Sequence, residues 1–365
     1  MNRHLPFSLL FVVFICSGCK VAEPARIQGP FDAYLREMAA KEHFSGVALI
    51  MREGKILHAR GYGTATAARA NAVDTRFHVA SITKQFTAAA IMQLAEQGMV
   101  KLDGSINTYL PAGYRSPTWD AVTVHQLLSH TSGIPDYAVT RDYYHLDRGF
   151  ALDDTVDGML KEAMGKDLEF LPGSRYAYSN LGYTLLGSIV ENLTGISYAE
   201  FVKRNLLEPM GMMSSSVDVA PHVPADDEAQ GLRWNDELAQ RIPDDAATLP
   251  ATAPDGGLIT TLEDFAKWTR MLSGGEQSIL SQDSIRLMST PHVHIGNGGP
   301  LDSMGYGLFV GDRLTGHGGL IVGFRSQFIL DRETRSVIAV FSNDASNDAH
   351  QVALGLLTLL LTADS

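Results

Sequence analysis

Hydrophobic positions along this chain change their spacing from region to region, and each spacing predicts a different element. Residues 31–43 carry apolar side chains at helical intervals. In SGVALIMREGKILHARGYG (Ser45–Gly63) two apolar runs flank Arg52–Gly54, the pattern of two strands joined by a tight turn. From Phe86 to Leu94 no side chain is charged, so a helix there is buried on nearly every side. Residues 100–300 read as short helices and long loops, as in TLEDFAKWTRMLSGG (Thr261–Gly275). Strand character returns in MGYGLFVG, GFRSQFIL and RSVIAVFSN, with Asp331–Thr334 as the turn between the last two. DAHQVALGLLTLLLT (Asp348–Thr362) closes the chain as an amphipathic helix. Strands at both ends and helices between them predict an α/β fold of the α+β type. Its antiparallel sheet is built from both chain ends and flanked by helices, with a mostly helical lobe inserted. The expected unit is one domain over 31–362, its α/β lobe from 31–75 and 300–362 and its helical lobe from 76–299.

Composition narrows this picture. The 45% hydrophobic and 19% charged residues are those of a globular protein. A net charge of −12 argues against a nucleic-acid partner, which requires a basic stripe. Before residue 31 a charged start, the apolar run LPFSLLFVVFI (Leu5–Ile15) and small residues form a secretory signal over 1–18. The run is too short to span a bilayer as a mature helix. SGC (Ser17–Cys19) resembles a bacterial lipobox, although Cys16 stands where that pattern prefers Leu, Val or Ile. Lipidation of Cys19 is therefore expected, with residues 19–30 as a tether to the membrane surface. Both cysteines lie in this leader, which excludes a disulfide framework, a cysteine-ligated metal and a cysteine nucleophile from the body.

Candidate chemistry begins where the apolar helix begins. Ser81 and Lys84 are three residues apart, so they share one helix face. Burying a lysine beside a hydroxyl is costly unless the pair is hydrogen-bonded or its charge is used. The spacing alone is weak, since SGCK (Ser17–Lys20) matches it within the leader. Context strengthens it: a helix N-terminus favours a developing oxyanion, and low dielectric lowers a lysine pKa towards that of a proton acceptor. Acyl transfer also needs a proton shuttle. Of the twelve tyrosines only Tyr178 has asparagine two positions on, in Tyr178-Ser179-Asn180, where a loop enters a helix. Tyr178 is a candidate to exchange protons with Lys84, and the Asn180 amide to hold a substrate carbonyl. His317-Gly318-Gly319 is expected to begin a strand that forms the opposite wall, its glycines allowing close backbone approach.

At these three stretches the sequence resembles the penicillin-recognising serine hydrolases, in particular the broad family around class C β-lactamases. That family includes D,D-carboxypeptidases, D-aminopeptidases and esterases. The resemblance runs from about Phe31 to Leu361 and includes VTVHQLLSHTSGIPDY (Val122–Tyr137), LLEPMGM (Leu206–Met212) and APDGGLITTLEDFAKW (Ala253–Trp268). It implies a β-lactamase/transpeptidase-like fold. It also implies that Ser81 is the acylated nucleophile, Lys84 its base partner and Tyr178 the shuttle. Asn180, His317, Gly319 and Leu320 would face the substrate, and the N–H groups of Ser81 and Leu320 would form the oxyanion hole. No cofactor or metal is implied. The departure is the third motif, His-Gly-Gly where class C β-lactamases usually have Lys-Thr-Gly. A histidine is only partly protonated near neutral pH, which weakens the case for a β-lactam carboxylate.

The expected activity is hydrolysis of an ester or amide, with D-amino-acid peptides among the candidates, through an acyl-enzyme on Ser81. The partners are a small-molecule or peptide substrate, peptidoglycan stem peptides included, and a membrane reached through the lipid anchor. Alternatives are a D,D-carboxypeptidase or penicillin-binding protein, a weak β-lactamase, or a catalytically silent binder of cell-wall peptides. Other chemistries fit less well. There is no Gly-x-Ser-x-Gly, and Ser197 with Glu200 reads as a capping box. His292 and His294 read as a loop pair, His125 and His130 as structural, and the carboxylates of 224–228 and 243–245 as solvated surface.

Overall fold

The computed structural model describes residues 29–362 apart from 42–43, 137–155, 219–221, 245–252 and 276. Helix α1 (Pro30–Ala40) leads into strands β1 (Gly46–Arg52) and β2 (Lys55–Tyr62). Glu53 and Gly54 between them both have positive φ, 49° and 77°. Positive φ at both central residues marks the tight hairpin turn whose twist suits the flanking strands. The small hairpin β3 (Thr64–Thr66) and β4 (Arg69–Ala70) follows, then β5 (Phe77–His78) and helix α2 (Lys84–Glu96). Further on come β6 (Ser216–Val217), the hairpin β7 (Leu232–Asn235) and β8 (Gln240–Pro243), and β9 (Leu258–Thr260). The last strands are β10 (Val293–His294), β11 (Ser303–Met304), β12 (Phe309–Val310), β13 (Leu314–Ile321), β14 (Phe324–Asp331) and β15 (Ser336–Ser342).

The main sheet runs β10-β11-β12-β13-β14-β15-β1-β2. Its centre joins the two chain ends: β1 pairs antiparallel with β15 from Gly46 opposite Ser342 to Arg52 opposite Ser336. Alternate side chains of these strands sort into two cores. Ala48, Ile50, Ile338 and Val340 pack with Leu35 of α1 and with Val352, Leu356 and Leu360 of the C-terminal helix, Ala349–Thr362. Val47, Leu49, Met51, Ala339 and Phe341 face the other way, into the larger core that contains Phe86 and Trp268. A strand buried on both faces has no polar side, which is why GVALIM reads as a continuous apolar run.

The antiparallel sheet made from both ends, with helices filling the middle, is the expected architecture, and three local readings change. MGYGLFVG is not continuous strand: between Met304 and Phe309 the chain turns. Gly307 there has φ 67°, and a Cβ on it would stand 2.5 Å from the Lys84 carbonyl oxygen. His317-Gly318-Gly319 lies inside β13 rather than at its start, because pairing with β14 begins three residues earlier, at Leu314 opposite Asp331. The helical lobe also holds a small sheet, β5-β9-β6, built from strands too short to carry a periodic signal. Ser197 does cap its helix by accepting from the Glu200 N–H at 3.2 Å, while the Glu200 carboxylate pairs with Arg204.

Phe86 is fully buried and stacks on Trp268, ring centroids 3.9 Å apart and planes 20° from parallel. Phe86→Ala is expected to lower the unfolding free energy by about 3–5 kcal/mol, read from urea denaturation. A loss below about 1 kcal/mol would contradict this packing.

Candidate active site

Ser81 sits in a single 3-10 turn, Ala80–Thr83, that feeds straight into α2. Every residue from Ile82 to Met92 is buried, and Ser81 keeps partial exposure. The residue before it, Ala80, has φ 49°, a conformation that L residues seldom adopt and that surrounding packing must hold. That packing comes from β13. A Cβ on Gly319 would lie 2.3 Å from the Val79 carbonyl oxygen and 3.1 Å from the Ala80 Cβ, so only glycine lets the strand lie flush against this turn. Ser326 Oγ of β14 closes the contact by donating to the Val79 carbonyl at 2.8 Å.

Lys84 has no solvent exposure. Its Nζ donates to Ser81 Oγ at 3.1 Å, Asn180 Oδ1 at 2.8 Å and the Asp255 carbonyl at 2.8 Å. Three donors thus meet three acceptors. Burial pushes the ammonium down to about 8, against the pull of the Asp255 and Asp136 carboxylates. Tyr178 O–H donates to the same Ser81 Oγ at 3.0 Å. Burial holds that phenol well above its usual range, opposed by the bond to Ser81 and reinforced by Asp255 and Asp136. Tyr178 is therefore neutral, and Lys84 is the group of the two that can lose its proton near neutral pH. The two are joined through the serine oxygen.

Asn180 opens the helix Asn180–Thr194, which Ser179 caps by accepting from the Gly182 N–H at 3.1 Å. Its amide is engaged at both ends, Oδ1 by Lys84 and Nδ2 by Asp136 Oδ2 at 3.4 Å. Asp136 also accepts the Leu181 N–H at 2.8 Å, a carboxylate seated at a helix N-terminus. His130 supports Tyr178 from beneath, their rings stacked with centroids 4.4 Å apart, and its Nδ1 accepts the Ser179 N–H at 3.0 Å. On the facing wall His317 is buried against Phe309, ring centroids 4.7 Å apart, and Tyr178, at 6.3 Å. Burial and then nearby Lys84 push its pKa down to about 3, so it is neutral here and not the partly charged group expected from its sequence. Leu320 is 52% exposed at the rim beyond Gly319.

The structure thus gathers Ser81, Lys84, Tyr178, Asn180, His317 and Gly319 from three distant stretches, with Leu320 beside them. Cys19 lies outside the described residues. His130, read from the sequence as structural, supports Tyr178 in that way, whereas Asp136 and Asp255, in SHTSGIPD and APDGG, join the site without a sequence signal. Nothing in their local spacing tells a site residue from a turn residue. Among the described residues one grouping of three potential metal ligands, His78, Asp218 and His222, lies outside the Ser81 cluster.

The family model described as Beta-lactamase matches residues 31–362 of this chain. The chain belongs to the β-lactamase family. Within this family of serine hydrolases it is similar to penicillin-binding protein 4* of Bacillus subtilis (strain 168), 28% identical over 334 residues, 87% of this chain and 72% of that protein. It superimposes on the octameric penicillin-binding protein homologue from Pyrococcus abyssi with a TM-score of 0.80 at 30% identity, covering 92% of this chain and 78% of that one. D-amino acid amidase from Ochrobactrum anthropi SV3 shares the fold, with a TM-score of 0.75 at 23% identity over 92% of this chain and 98% of its own. In this β-lactamase-family chain the shared serine oxygen between a depressed lysine and a neutral tyrosine is an arrangement suited to acyl transfer.

The sign of the Lys84 shift sets two pH effects. A proton acceptor must be deprotonated, so kcat/KM on an ester substrate is expected to rise with pH through about 8. Lys84→Arg, which stays protonated, should abolish that activity. Because the unfolded lysine titrates at its ordinary 10.5, the unfolded chain binds more protons between about 8 and 10.5, and stability rises with pH across that window. A profile that stays flat through pH 8 would remove Lys84 from the role of base.

Proposed function

We propose that this protein hydrolyses an ester or amide, D-amino-acid amides and peptides foremost, through an acyl-enzyme on Ser81. The observation that carries the reading is the chain from Lys84 Nζ to Ser81 Oγ to Tyr178 O–H, with bonds of 3.1 and 3.0 Å around a fully buried lysine. Lys84 in its amine form takes the Ser81 proton as Oγ attacks the carbonyl carbon. The oxyanion is held by the N–H groups of Ser81 and Leu320. Tyr178 delivers a proton to the leaving group and recovers one from the Lys84 ammonium. Water then attacks the acyl-enzyme with the same groups acting in reverse. Asn180 keeps Lys84 in line and borders the substrate.

The third motif supports the choice of substrate. His317 Nδ1 donates to its neighbouring Gly318 carbonyl at 2.5 Å. In a neutral imidazole that leaves Nε2 as a lone-pair acceptor, and among the described residues this buried atom has no partner. An acceptor recognises a substrate N–H or O–H. A cationic lysine in its place would recognise a carboxylate instead. The second reading, a penicillin-binding D,D-carboxypeptidase, is favoured by the names of the Bacillus and Pyrococcus relatives.

Intact-mass spectrometry after incubation with benzylpenicillin, alongside turnover of D-alanine p-nitroanilide and p-nitrophenyl esters, tests both. We expect turnover of the amide or ester, lowered about a thousandfold or more by Ser81→Ala. Penicillin acylation should be slow and roughly tenfold faster in His317→Lys. A rapid, lasting adduct on the wild type would establish the second reading. Absence of both turnover and labelling would leave a silent binder.

We infer that the leader exports the chain and that Cys19 anchors it to a membrane by lipid, with cell-wall peptides within reach. Cys19→Ser is expected to move the protein from the membrane fraction to the soluble exported fraction, and an unchanged distribution would refute the anchor.

A further inference from the structure

Three residues before Ser81, β5 ends in His78, which is 5% exposed and whose imidazole makes no hydrogen bond among the described residues. The β5-β9-β6 sheet brings it towards a segment about 140 positions later. His78 opposes Ile259 of β9 from one side, and Ser216 of β6 opposes the same residue from the other. Just beyond β6 stand Asp218 and His222. One ligand atom from each of His78, Asp218 and His222 lies within 4.8 Å of the other two, and the two imidazoles meet edge to face with centroids 5.0 Å apart.

The surrounding contacts orient this group as a metal site is oriented. Glu228 Oε2 lies 2.8 Å from His222 Nε2, and Glu228 Oε1 is held by Arg76 at 3.2 Å. A bound ion would take the place of the proton on Nδ1 and leave Glu228 to accept from Nε2–H, the usual arrangement behind a metal-bound histidine. That Nδ1 faces Asp218 Oδ1 at 2.7 Å. The second imidazole, His78, has its Nε2 4.0 Å from Glu228 Oε2, beyond hydrogen-bond range. Ligands of a tetrahedral zinc, each bonded at about 2.1 Å, stand roughly 3.4 Å from one another. With all three donor atoms already within 4.8 Å of one another, side-chain adjustment alone brings them to that spacing. His78 and His222 also line a cavity of about 920 Å³ bounded by Arg69, Gln230 and Phe324, which gives an ion an entry path and a coordination position for water.

We propose that His78, Asp218 and His222 bind a divalent transition-metal ion of the zinc class, with Glu228 as the carboxylate that orients His222. Two nitrogens and one oxygen suit zinc, cobalt or nickel better than magnesium or calcium, which take oxygen. The ion would tie the strand leading into the Ser81 turn to the segment that follows β6, and so stiffen one side of the active site without entering its chemistry.

The test uses the full chain stripped with a chelator and titrated with zinc chloride by calorimetry, with cobalt absorption as a second readout. We expect one zinc per chain, a melting temperature raised by about 4 °C at saturating zinc, and visible cobalt bands of tetrahedral intensity. His78→Gln and His222→Gln should each weaken zinc at least tenfold, and Glu228→Gln by a smaller factor. Asp218→Asn, a conservative change, serves where a histidine variant fails to fold. Wild-type protein that takes up no stoichiometric zinc would overturn the proposal. So would folded variants that keep wild-type affinity, which would make the cluster a network of ion pairs and any zinc bound elsewhere adventitious.

Discussion

A lysine ammonium with no access to water organises this structure. Removing such a charge from solvent costs several kcal/mol even after relaxation, and a fold keeps it only by surrounding it with acceptors. For Lys84 these come from its own turn, from Asn180 at 96 positions away and from the Asp255 carbonyl at 171. The lobe cannot close around Lys84 unless all three segments arrive together. Neighbouring contacts stitch the same junction: Thr87 Oγ1 donates to the Pro254 carbonyl at 2.5 Å, and Thr83 Oγ1 accepts the Leu258 N–H at 2.9 Å. The satisfied ammonium still titrates low because burial outweighs the attraction of Asp255 and Asp136. The constraint that shapes the lobe therefore also lowers the pKa of the amine beside Ser81.

The facing wall rests on a different economy, one of space. The β13 backbone reaches the Ser81 turn because position 319 has no side chain to displace Val79 and Ala80. Gly307 plays the same part at the far end of the site, where it meets the first turn of α2 and donates its N–H to Tyr183 Oη at 2.7 Å. Ring contacts complete the enclosure, with His130 stacked beneath Tyr178 and Phe309 tilted beside His317. A strained Ala80 and a partly exposed Ser81 survive between two such rigid surfaces.

His317 links the fold to specificity. Its neutral state follows from burial near Lys84, and its tautomer from the Gly318 carbonyl. The motif that elsewhere carries a cation therefore presents a lone pair to whatever binds. Family membership points to serine-hydrolase chemistry, and in the proposed function the polarity of this wall bears on which substrates are accepted.

Elements with strong local signals can be read from the chain alone. The hairpin around Glu53-Gly54, the apolar helix from Phe86, the helix after Ser179 and the strands β14 and β15 follow from period, turn chemistry and capping, which act between near neighbours. Ser81, Lys84, Tyr178, Asn180 and His317 were legible too, because three motifs in order resemble a known family. Tertiary structure alone decided the rest. Asp136 and Asp255 matter through distance to an amine that lies 52 and more residues away in sequence, and no local pattern encodes that. The neutrality of His317 depends on how much water the packed wall excludes. The meeting of His78 with Asp218 and His222 exists only because two short strands share β9 as a partner. Burial and long-range approach are properties of the packed chain, so they become visible only once it is folded.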